Sequence, residues 1–442
     1  MTTGGHIAEA PAGGRSNWRR WRRILVGLAV ALSGLFVAAW QVGAWFVERP
    51  AEFSEQSGPV CGTYIESRYA SRLNQIRAQV RSMMAERRVP GMAVAVGVRG
   101  RVVYREGFGY ADLERRVPAC PETQFRAASV SKLFTTAAMA RLLERGVLDL
   151  EAPVQRYVPT FPDKGAVINP GLLASHRAGI RAYRDDFEAI NTTHYESVTA
   201  SLAAFANDPL VAVPDTRFIY SNYGYVLLSA VIEGAAAEEF RSYMRNEVFQ
   251  PLGMSATVPV DNNLTLPARA APYDVETPFS LDGRLVPSPA NDFSAKWASG
   301  GFLSTVEDLV RFGSAFVPAK SAGHDPGFLH QKTIKLLTRP RSGFPPVAGY
   351  GLGWITASDL HLRRVSFHFG ASSGGTAVLA VYPGSGVVVA VMANLGHAKL
   401  PFRQLVNVGR PFFPWLRPDA VVVTAALVIV LTAGWWLRHR PM

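Results

Sequence analysis

The sequence has few cysteines, few lysines and a modest share of charged residues. Two cysteines occur among 442 residues, which permits one disulfide at most. Charged residues make up 18% of the chain and hydrophobic residues 48%. No low-complexity tract and no repeat with a period of about 20–50 residues is evident. These absences exclude a disordered, fibrous or repeat protein, and the length suits one large globular domain with appendages.

The formal net charge of +12 does not indicate nucleic-acid binding. The basic residues neither cluster on one helix of the domain nor alternate with aromatic residues, so no nucleic-acid partner is expected. Many of them flank two long apolar runs instead. The run at residues 24–47 follows a cluster of arginines, namely Arg15, Arg19, Arg20, Arg22 and Arg23. The run at residues 420–437 is followed by Arg438, His439 and Arg440.

These two runs predict a membrane anchor at each end of the chain. Residues 24–47 are long enough to cross a bilayer as an uncleaved signal anchor, and residues 420–437 form a second transmembrane helix. The basic flanks predict that residues 1–23 and 438–442 are short cytoplasmic tails. The residues between the two helices are then on the other side of the membrane. We therefore expect a bacterial inner-membrane protein with a periplasmic domain. A buried core helix and a mitochondrial presequence are the alternatives for the first run.

Both cysteines lie in the segment that is predicted to be exported. An oxidising compartment permits Cys61 and Cys120 to form a disulfide, and we predict that they do. Two unpaired buried thiols are the alternative.

Between the apolar runs, residues 60–410 are predicted to form one α/β domain of the α+β type. Residues 65–88 have apolar positions at helical spacing and predict an opening helix. Residues 129–345 are predicted to form a mostly helical insertion. An antiparallel sheet flanked by helices should therefore come from the two ends of the domain.

Two predicted hairpins supply that sheet. Residues 92–98 and 102–107 are β-rich and are separated by Arg-Gly-Arg, while residues 376–382 and 387–392 flank Pro-Gly-Ser-Gly. A two-stranded hairpin is barely stable alone. The two pairs are therefore predicted to join in one antiparallel sheet.

The spacing of Ser129 and Lys132 is the first sign of a chemical function. Residues 127–144 predict a helix, on which side chains three positions apart lie on one face. A serine hydroxyl needs a neighbouring base to become a nucleophile, and a lysine can serve when burial lowers its pKa. Lysine is scarce here, and no other serine precedes a lysine by three positions. Ser129 is the candidate nucleophile and Lys132 the candidate base.

Two further motifs follow in order. Tyr220-Ser221-Asn222 precedes an apolar run and is predicted to lie on a loop or the first turn of a helix. A phenol beside a cationic lysine ionises more easily, so Tyr220 can shuttle a proton, and Asn222 can contact the substrate or the lysine. His368 is predicted to project from a sheet edge into a cleft, where it can bind a substrate carboxylate or polarise Tyr220.

The residues after His368 suggest an oxyanion site. Gly370 permits a close approach of the substrate to the backbone, and the amide of Ala371 can complete an oxyanion hole with the amide of Ser129. Asn222, His368, Gly370 and Ala371 are therefore the candidate substrate-binding residues.

The three motifs together resemble those of the serine β-lactamase and penicillin-binding-protein superfamily, in its class C-like branch. The resemblance extends over residues 78–394 and is strongest to the serine β-lactamase-like proteins known from mitochondria. Matching stretches are GFGYAD at 107–112, LDL at 148–150, PVQ at 153–155, NDPL at 207–210, GGFLST at 300–305 and YGLGW at 350–354. The resemblance implies a β-lactamase/transpeptidase-like fold, an acylated Ser129, a proton-transfer pair of Lys132 and Tyr220, and no metal or organic cofactor.

The sequence departs from the family pattern at the third motif. His368 replaces a lysine, and Phe369 stands where a hydroxyl residue often binds a substrate carboxylate. Strong penicillin hydrolysis is therefore not expected. The expected function is a membrane-anchored serine peptidase on short or cell-wall peptides. An esterase, a weak β-lactamase and a non-catalytic peptide or peptidoglycan sensor are the alternatives, and the oligomeric state stays open.

Overall fold

A computed structural model describes residues 58–261, 266–276, 284–322, 327–344, 348–359, 363–396, 400 and 402–413. These residues belong to one structural unit, Pro50–Phe413. The two predicted transmembrane segments, 24–47 and 420–437, and both predicted tails lie outside them. Within the described ranges, the structure contains no helix with the length and apolar character required to span a membrane.

The centre of the unit is a ten-stranded antiparallel sheet. Nine strands lie in the order β1-β3-β2-β15-β14-β13-β12-β11-β10, and β4 pairs with β3. The strands are β1 (Val60–Ile65), β2 (Gly91–Val98), β3 (Arg101–Asp112), β4 (Val117–Pro118), β10 (Ser342–Phe344), β11 (Ala348–Tyr350), β12 (Ile355–Ser358), β13 (Arg364–Ser372), β14 (Gly375–Tyr382) and β15 (Val387–Ala393).

Strands from opposite ends of the domain meet at the centre of this sheet. The hairpins β2-β3 and β14-β15 form as predicted, and β15 pairs with β2 in antiparallel register, with Ala390 opposite Ala95. Every residue of β14 and β15 is buried, because both faces of the sheet are covered. The prediction of one sheet built from both ends is confirmed.

One face of the sheet is covered by the first helix of the domain and by the last described segment, residues 402–413. Helix α1 (Leu73–Arg87) packs here together with α11 (Phe402–Asn407). The rings of Tyr69 and Phe412 are 4.9 Å apart, and Arg72 donates a 2.6 Å hydrogen bond to the carbonyl oxygen of Pro411. The first and last described segments therefore contact each other directly.

The predicted opening helix at 65–88 is wrong over its first turns. Residues 60–65 form strand β1, and a 3-10 helix at Ser67–Arg72 precedes α1. The strand forms because β3 offers it a pairing edge, a long-range cause that local periodicity does not report. The end of the helix is correct, since Arg88 adopts the left-handed conformation with φ 54°.

The other face carries the predicted insertion, which is mostly helical. Its helices are α2 (Ser131–Glu144), α3 (Pro170–Ala174), α4 (Asp186–Ala189), α5 (Asn222–Ala236), α6 (Phe240–Met244), α7 (Trp297–Gly300), α8 (Val306–Ser314), α9 (Ala319–Ala322) and α10 (Gln331–Thr338). Two small sheets, β5-β9-β6 and β7-β8, interrupt them: β5 (Phe125–Arg126), β6 (Val258–Pro259), β7 (Tyr273–Val275), β8 (Leu285–Pro287) and β9 (Phe302–Ser304).

Helix α2 is the most buried helix of the insertion. Eleven of its 14 residues are buried, so it is enclosed on nearly every side. The ring of Phe134 makes edge contacts with Phe249, Phe302 and Phe312. This packing fixes the helix that begins directly after Ser129.

Cys61 on β1 forms a disulfide with Cys120, 59 residues further along the chain. Replacing both cysteines with serine should lower the free energy of unfolding by about 4 kcal/mol, because the unfolded chain regains the entropy of that loop. Urea unfolding of the full chain in detergent measures the change. Alkylation of both thiols without a reductant would contradict the disulfide.

Candidate active site

Ser129 lies on a 3-10 turn, Ala128–Val130, that leads directly into α2. Ala128 has φ 47°, in the left-handed region that costs an alanine free energy. Packing of the buried turn against β13 and α7 holds this conformation. The turn leaves the Ser129 side chain partly exposed, while its neighbours Ala128 and Val130 are buried.

Lys132 is fully buried and brings three oxygen atoms together. Its Nζ lies 2.6 Å from the carbonyl oxygen of Ser299, 2.7 Å from Asn222 Oδ1 and 3.2 Å from Ser129 Oγ. Burial lowers the pKa of the ammonium group well below its usual value. No carboxylate among the described residues forms an ion pair with it.

These contacts fit a neutral amine. The Ser299 carbonyl and the Asn222 amide oxygen only accept hydrogen bonds, so they use both N–H groups of a neutral lysine. The remaining lone pair then faces the Ser129 hydroxyl, which can donate to it. The predicted proximity of Ser129 and Lys132 is therefore present in the structure.

Tyr220 approaches the nucleophile from the other side. Its hydroxyl donates a 2.9 Å hydrogen bond to Ser129 Oγ, and its ring centre is 4.8 Å from Lys132 Nζ. Although 37% of the residue is exposed, the hydroxyl faces the protein, and burial there raises the pKa of the phenol above its usual value. The expectation that a cationic lysine makes Tyr220 ionise more easily is wrong, because desolvation of the phenol raises its pKa and burial favours the neutral form of Lys132.

The residues beside Tyr220 form the start of helix α5. Ser221 is the N-cap, and its hydroxyl accepts a 3.0 Å hydrogen bond from the amide of Gly224. Asn222 is the first helical residue and faces Lys132. The predicted position of this motif at a helix start is correct, and the cap explains how a loop presents three side chains in a fixed geometry.

Strand β13 carries the third motif with alternating exposure. His368 and Gly370 are buried, whereas Phe369 and Ala371 are exposed on the opposite side. A Cβ atom at Gly370 would lie 2.5 Å from the carbonyl oxygen of Ala127 and 2.9 Å from the amide of Ser129. Glycine is therefore required at 370 for the strand to approach the nucleophile.

The second half of β13 is a local edge of the sheet. Strand β12 pairs with β13 from Arg364 to Phe367 and no further, whereas β14 pairs with it as far as Ser372. The residues after Phe367 therefore have a strand on one side and the Ser129 turn near the other.

His368 lies at this edge but does not project into a cleft. It is 1% exposed, and both of its ring nitrogens are used within the protein. Its Nδ1 must carry a proton, because it lies 2.7 Å from the carbonyl oxygen of Phe369. Its Nε2 then accepts a hydrogen bond from the Tyr350 hydroxyl at 3.2 Å. The prediction that His368 binds a substrate carboxylate is corrected, since the ring is enclosed and neutral.

His176 completes a buried chain of hydrogen bonds. Its Nδ1 accepts from the amide of Ser221 at 3.1 Å, so the proton is on Nε2, which donates to Tyr350 at 3.1 Å. Burial, with Lys132 nearby, lowers the pKa of His176 well below its usual value and that of His368 to about 3. This chain, His176–Tyr350–His368, links the start of α5 to β13.

Three parts of the site were not among the candidates. The Ser299 carbonyl is backbone and has no side-chain signal. Tyr350 lies within the YGLGW stretch, which marked the resemblance without indicating a role, and His176 gave no sign of its contact with the second motif. Among the described residues, no group of three histidine, cysteine or acidic side chains could hold a metal ion.

The fold and the Ser129 geometry define a class, that of the serine β-lactamase and penicillin-binding-protein-like hydrolase folds. The beta-lactamase family model matches residues 76–405, and the chain belongs to this family. It is 31% identical over 406 residues to the human mitochondrial serine beta-lactamase-like protein LACTB, covering 69% of this chain and 73% of that protein. Penicillin-binding protein 4* of Bacillus subtilis is 27% identical over 301 residues, covering 64% of this chain and 63% of that protein.

Solved structures agree on the fold. The octameric penicillin-binding protein homologue from Pyrococcus abyssi has a TM-score of 0.66 at 27% identity and covers 76% of both chains. A penicillin-binding protein from Bacillus halodurans has a TM-score of 0.63 at 24% identity, covering 76% of this chain and 99% of that one.

The two buried histidines should make the protein less stable in mild acid. The unfolded chain takes up protons near pH 6.5, whereas the lowered pKa values keep both rings neutral in the folded protein. Below about pH 6, each histidine should therefore lower the free energy of unfolding by about 1.4 kcal/mol per pH unit. Urea unfolding between pH 7 and 5 measures the slope.

The variant His368→Gln is the control. Its free energy of unfolding should fall less steeply with decreasing pH, by about 1.4 kcal/mol per pH unit, because one histidine fewer takes up a proton on unfolding. Imidazole ¹⁵N shifts of the folded protein supply a second readout. A doubly protonated ring at pH 5.5 for either residue would contradict the tautomers assigned above.

Proposed function

We propose that the chain is a serine hydrolase that acts through an acyl-enzyme on Ser129. Neutral Lys132 accepts the proton of the Ser129 hydroxyl as that oxygen attacks a carbonyl carbon. The amides of Ser129 and Ala371 stabilise the oxyanion, and Tyr220 donates its proton to the leaving group. The leaving group departs with that proton, and the acyl-enzyme remains. Water then attacks the acyl carbon, the Tyr220 phenolate takes a proton from this water, and Lys132 returns its proton to the Ser129 oxygen as the acid is released.

One observation carries this proposal: the buried Lys132 amine has two acceptor-only partners and, within the described part of the chain, no carboxylate partner. A lysine that served only to stabilise the fold would gain from an ion pair, since an isolated buried ammonium is costly. The raised pKa of Tyr220 gives the site a proton donor beside the same oxygen. Base and acid therefore lie on two sides of one hydroxyl.

The substrates we propose are short peptides, including cell-wall peptides. The bacterial relative is named as a penicillin-binding protein, which supports a peptide-like ligand. The site accommodates an ester or a β-lactam by the same chemistry, so an esterase or a weak β-lactamase is the second choice. A peptide or peptidoglycan sensor on the same scaffold would bind without turnover.

We further propose that residues 24–47 and 420–437 span the bacterial inner membrane and place the domain in the periplasm. Their apolar lengths and arginine-rich flanks support this topology. The disulfide between Cys61 and Cys120 agrees with an oxidising compartment.

Covalent labelling tests the chemistry. A fluorescent fluorophosphonate should label the detergent-solubilised chain, and Ser129→Ala should abolish the label. Lys132→Arg puts a permanently protonated group at this position, which cannot act as a base, so it should slow labelling about 10²-fold or more. The rate of covalent labelling is measured by in-gel fluorescence at several pH values. It should rise with pH around a midpoint well below 10.5.

Ser131→Ala is the matched control, because that serine is two positions away and its hydroxyl has no hydrogen-bond partner among the described residues. Its labelling should equal that of the wild type. In a separate experiment, labelling of Ser129 by a fluorescent penicillin would favour a cell-wall peptide as the substrate. If neither probe labels the folded wild-type protein, the hydrolase is contradicted and the peptide or peptidoglycan sensor is favoured.

Reporter fusions test the topology. Alkaline phosphatase fused after residue 413 should be active, because this enzyme matures only in the periplasm, and the same reporter after residue 442 should be inactive. Deleting residues 420–437 from the second fusion should restore its activity. Activity of the full-length fusion would refute the second span.

A further inference from the structure

Phe369 lies beside the proposed oxyanion site on the open side of β13. It is 46% exposed and lies two positions before Ala371, so strand alternation places both residues on one side of the strand. Gly370 between them contacts the Ser129 turn. A substrate carbonyl held at Ala371 therefore has one of its two flanking groups next to Phe369.

Three basic side chains of the site, His368, His176 and Lys132, offer no positive charge to a substrate at that end of the strand. His368 and His176 are neutral because their ring nitrogens are used in the chain through Tyr350. Lys132 is buried with all three of its contacts inside the protein. The next basic residue on β13 is Arg364, five positions before Phe369 and therefore about 16 Å away along an extended strand.

The opposite end of the motif is charged. Arg126 donates a 2.5 Å hydrogen bond to the carbonyl oxygen of Ser373, and the Ser373 hydroxyl donates to Asp274 at 2.9 Å. The two directions along β13 from Ala371 therefore differ in polarity. Polar and charged groups lie towards Ser373, whereas a neutral histidine and an exposed aromatic ring lie towards Phe369.

We propose that the Phe369 end of the cleft selects substrates by charge. It accepts an uncharged, preferably apolar group on one side of the scissile bond and discriminates against a carboxylate there, while the His176–Tyr350–His368 chain keeps the adjoining wall neutral. Phe369 is the specificity-determining residue. The inference rests on the proposed hydrolase function and deepens it, since it excludes peptides whose free terminal carboxylate would lie over Phe369. A carboxylate there would lose water without gaining a partner.

Two pairs of esters test the proposal, one for each side of the bond. The first pair differs in the leaving group, 4-acetoxybenzoate against its methyl ester. The second pair differs in the acyl group, the 4-nitrophenyl ester of adipic acid against the same ester with its other carboxyl methylated. In at least one of the two pairs, whichever places its carboxylate next to Phe369, kcat/KM for the neutral ester should exceed that for the carboxylate about tenfold or more.

Variants of Phe369 test whether this residue causes the preference for the neutral ester. Phe369→Lys adds a cation at the exposed position and should lower the ratio in that same pair about tenfold, mainly by raising kcat/KM for the carboxylate. Phe369→Leu keeps an apolar side chain and should keep the ratio. Val117→Lys is the charge control, because Val117 is 45% exposed on β4, five strands and therefore about 24 Å from β13.

The outcomes separate the inference from the function on which it rests. Ser129-dependent hydrolysis with ratios near one in both pairs, or with a preference for the carboxylate, would overturn the selectivity and leave the hydrolase intact. The same holds if Val117→Lys shifts the ratio as much as Phe369→Lys does. Absence of Ser129-dependent turnover of all four esters, together with absence of fluorophosphonate labelling, would overturn the hydrolase and the selectivity with it.

Discussion

The burial of one amino group determines how the rest of the site is arranged. Lys132 on α2 is fully buried and forms no ion pair with a carboxylate of the described residues, so burial favours its neutral form and its hydrogen bonds must be satisfied within the protein. The acceptors come from two other parts of the insertion, the Ser299 carbonyl at the end of α7 and the Asn222 amide at the start of α5. A shift of either helix would leave one N–H group of the amine without its acceptor. The proposed chemistry therefore depends on the packing of three helices.

The sheet supplies the opposite wall of the site and is held to the helices by a second buried network. Tyr350 accepts a hydrogen bond from His176 and donates one to His368, and the direction of each bond follows from the backbone group at each end of the chain. A neutral state of both rings is thus a consequence of hydrogen bonding as well as of burial. Both networks therefore favour the uncharged form of a basic side chain.

Much of this arrangement was predictable from local patterns. The hairpins follow from β-rich runs around glycine-containing turns, and the proximity of Ser129 and Lys132 follows from helical spacing. Strand β1 was missed because its cause is the free edge of β3, whose paired residues are 39 to 48 positions away in the chain. The sign of the pKa shift of Tyr220 was wrong because desolvation depends on tertiary packing. The enclosure of His368 depends on Tyr350, whose role is not encoded by spacing from the third motif.

The pairing of β2 with β15 also governs when the protein can fold. Val98 pairs with Val387, 289 residues further along the chain. At a synthesis rate of about 5–20 residues per second, roughly 15–60 s separate the emergence of these two strands. Throughout that interval β2 lacks its neighbour at the centre of the sheet, and the nascent chain has an apolar edge open to aggregation. The central pairing of the sheet can therefore form only after the last strand has been made.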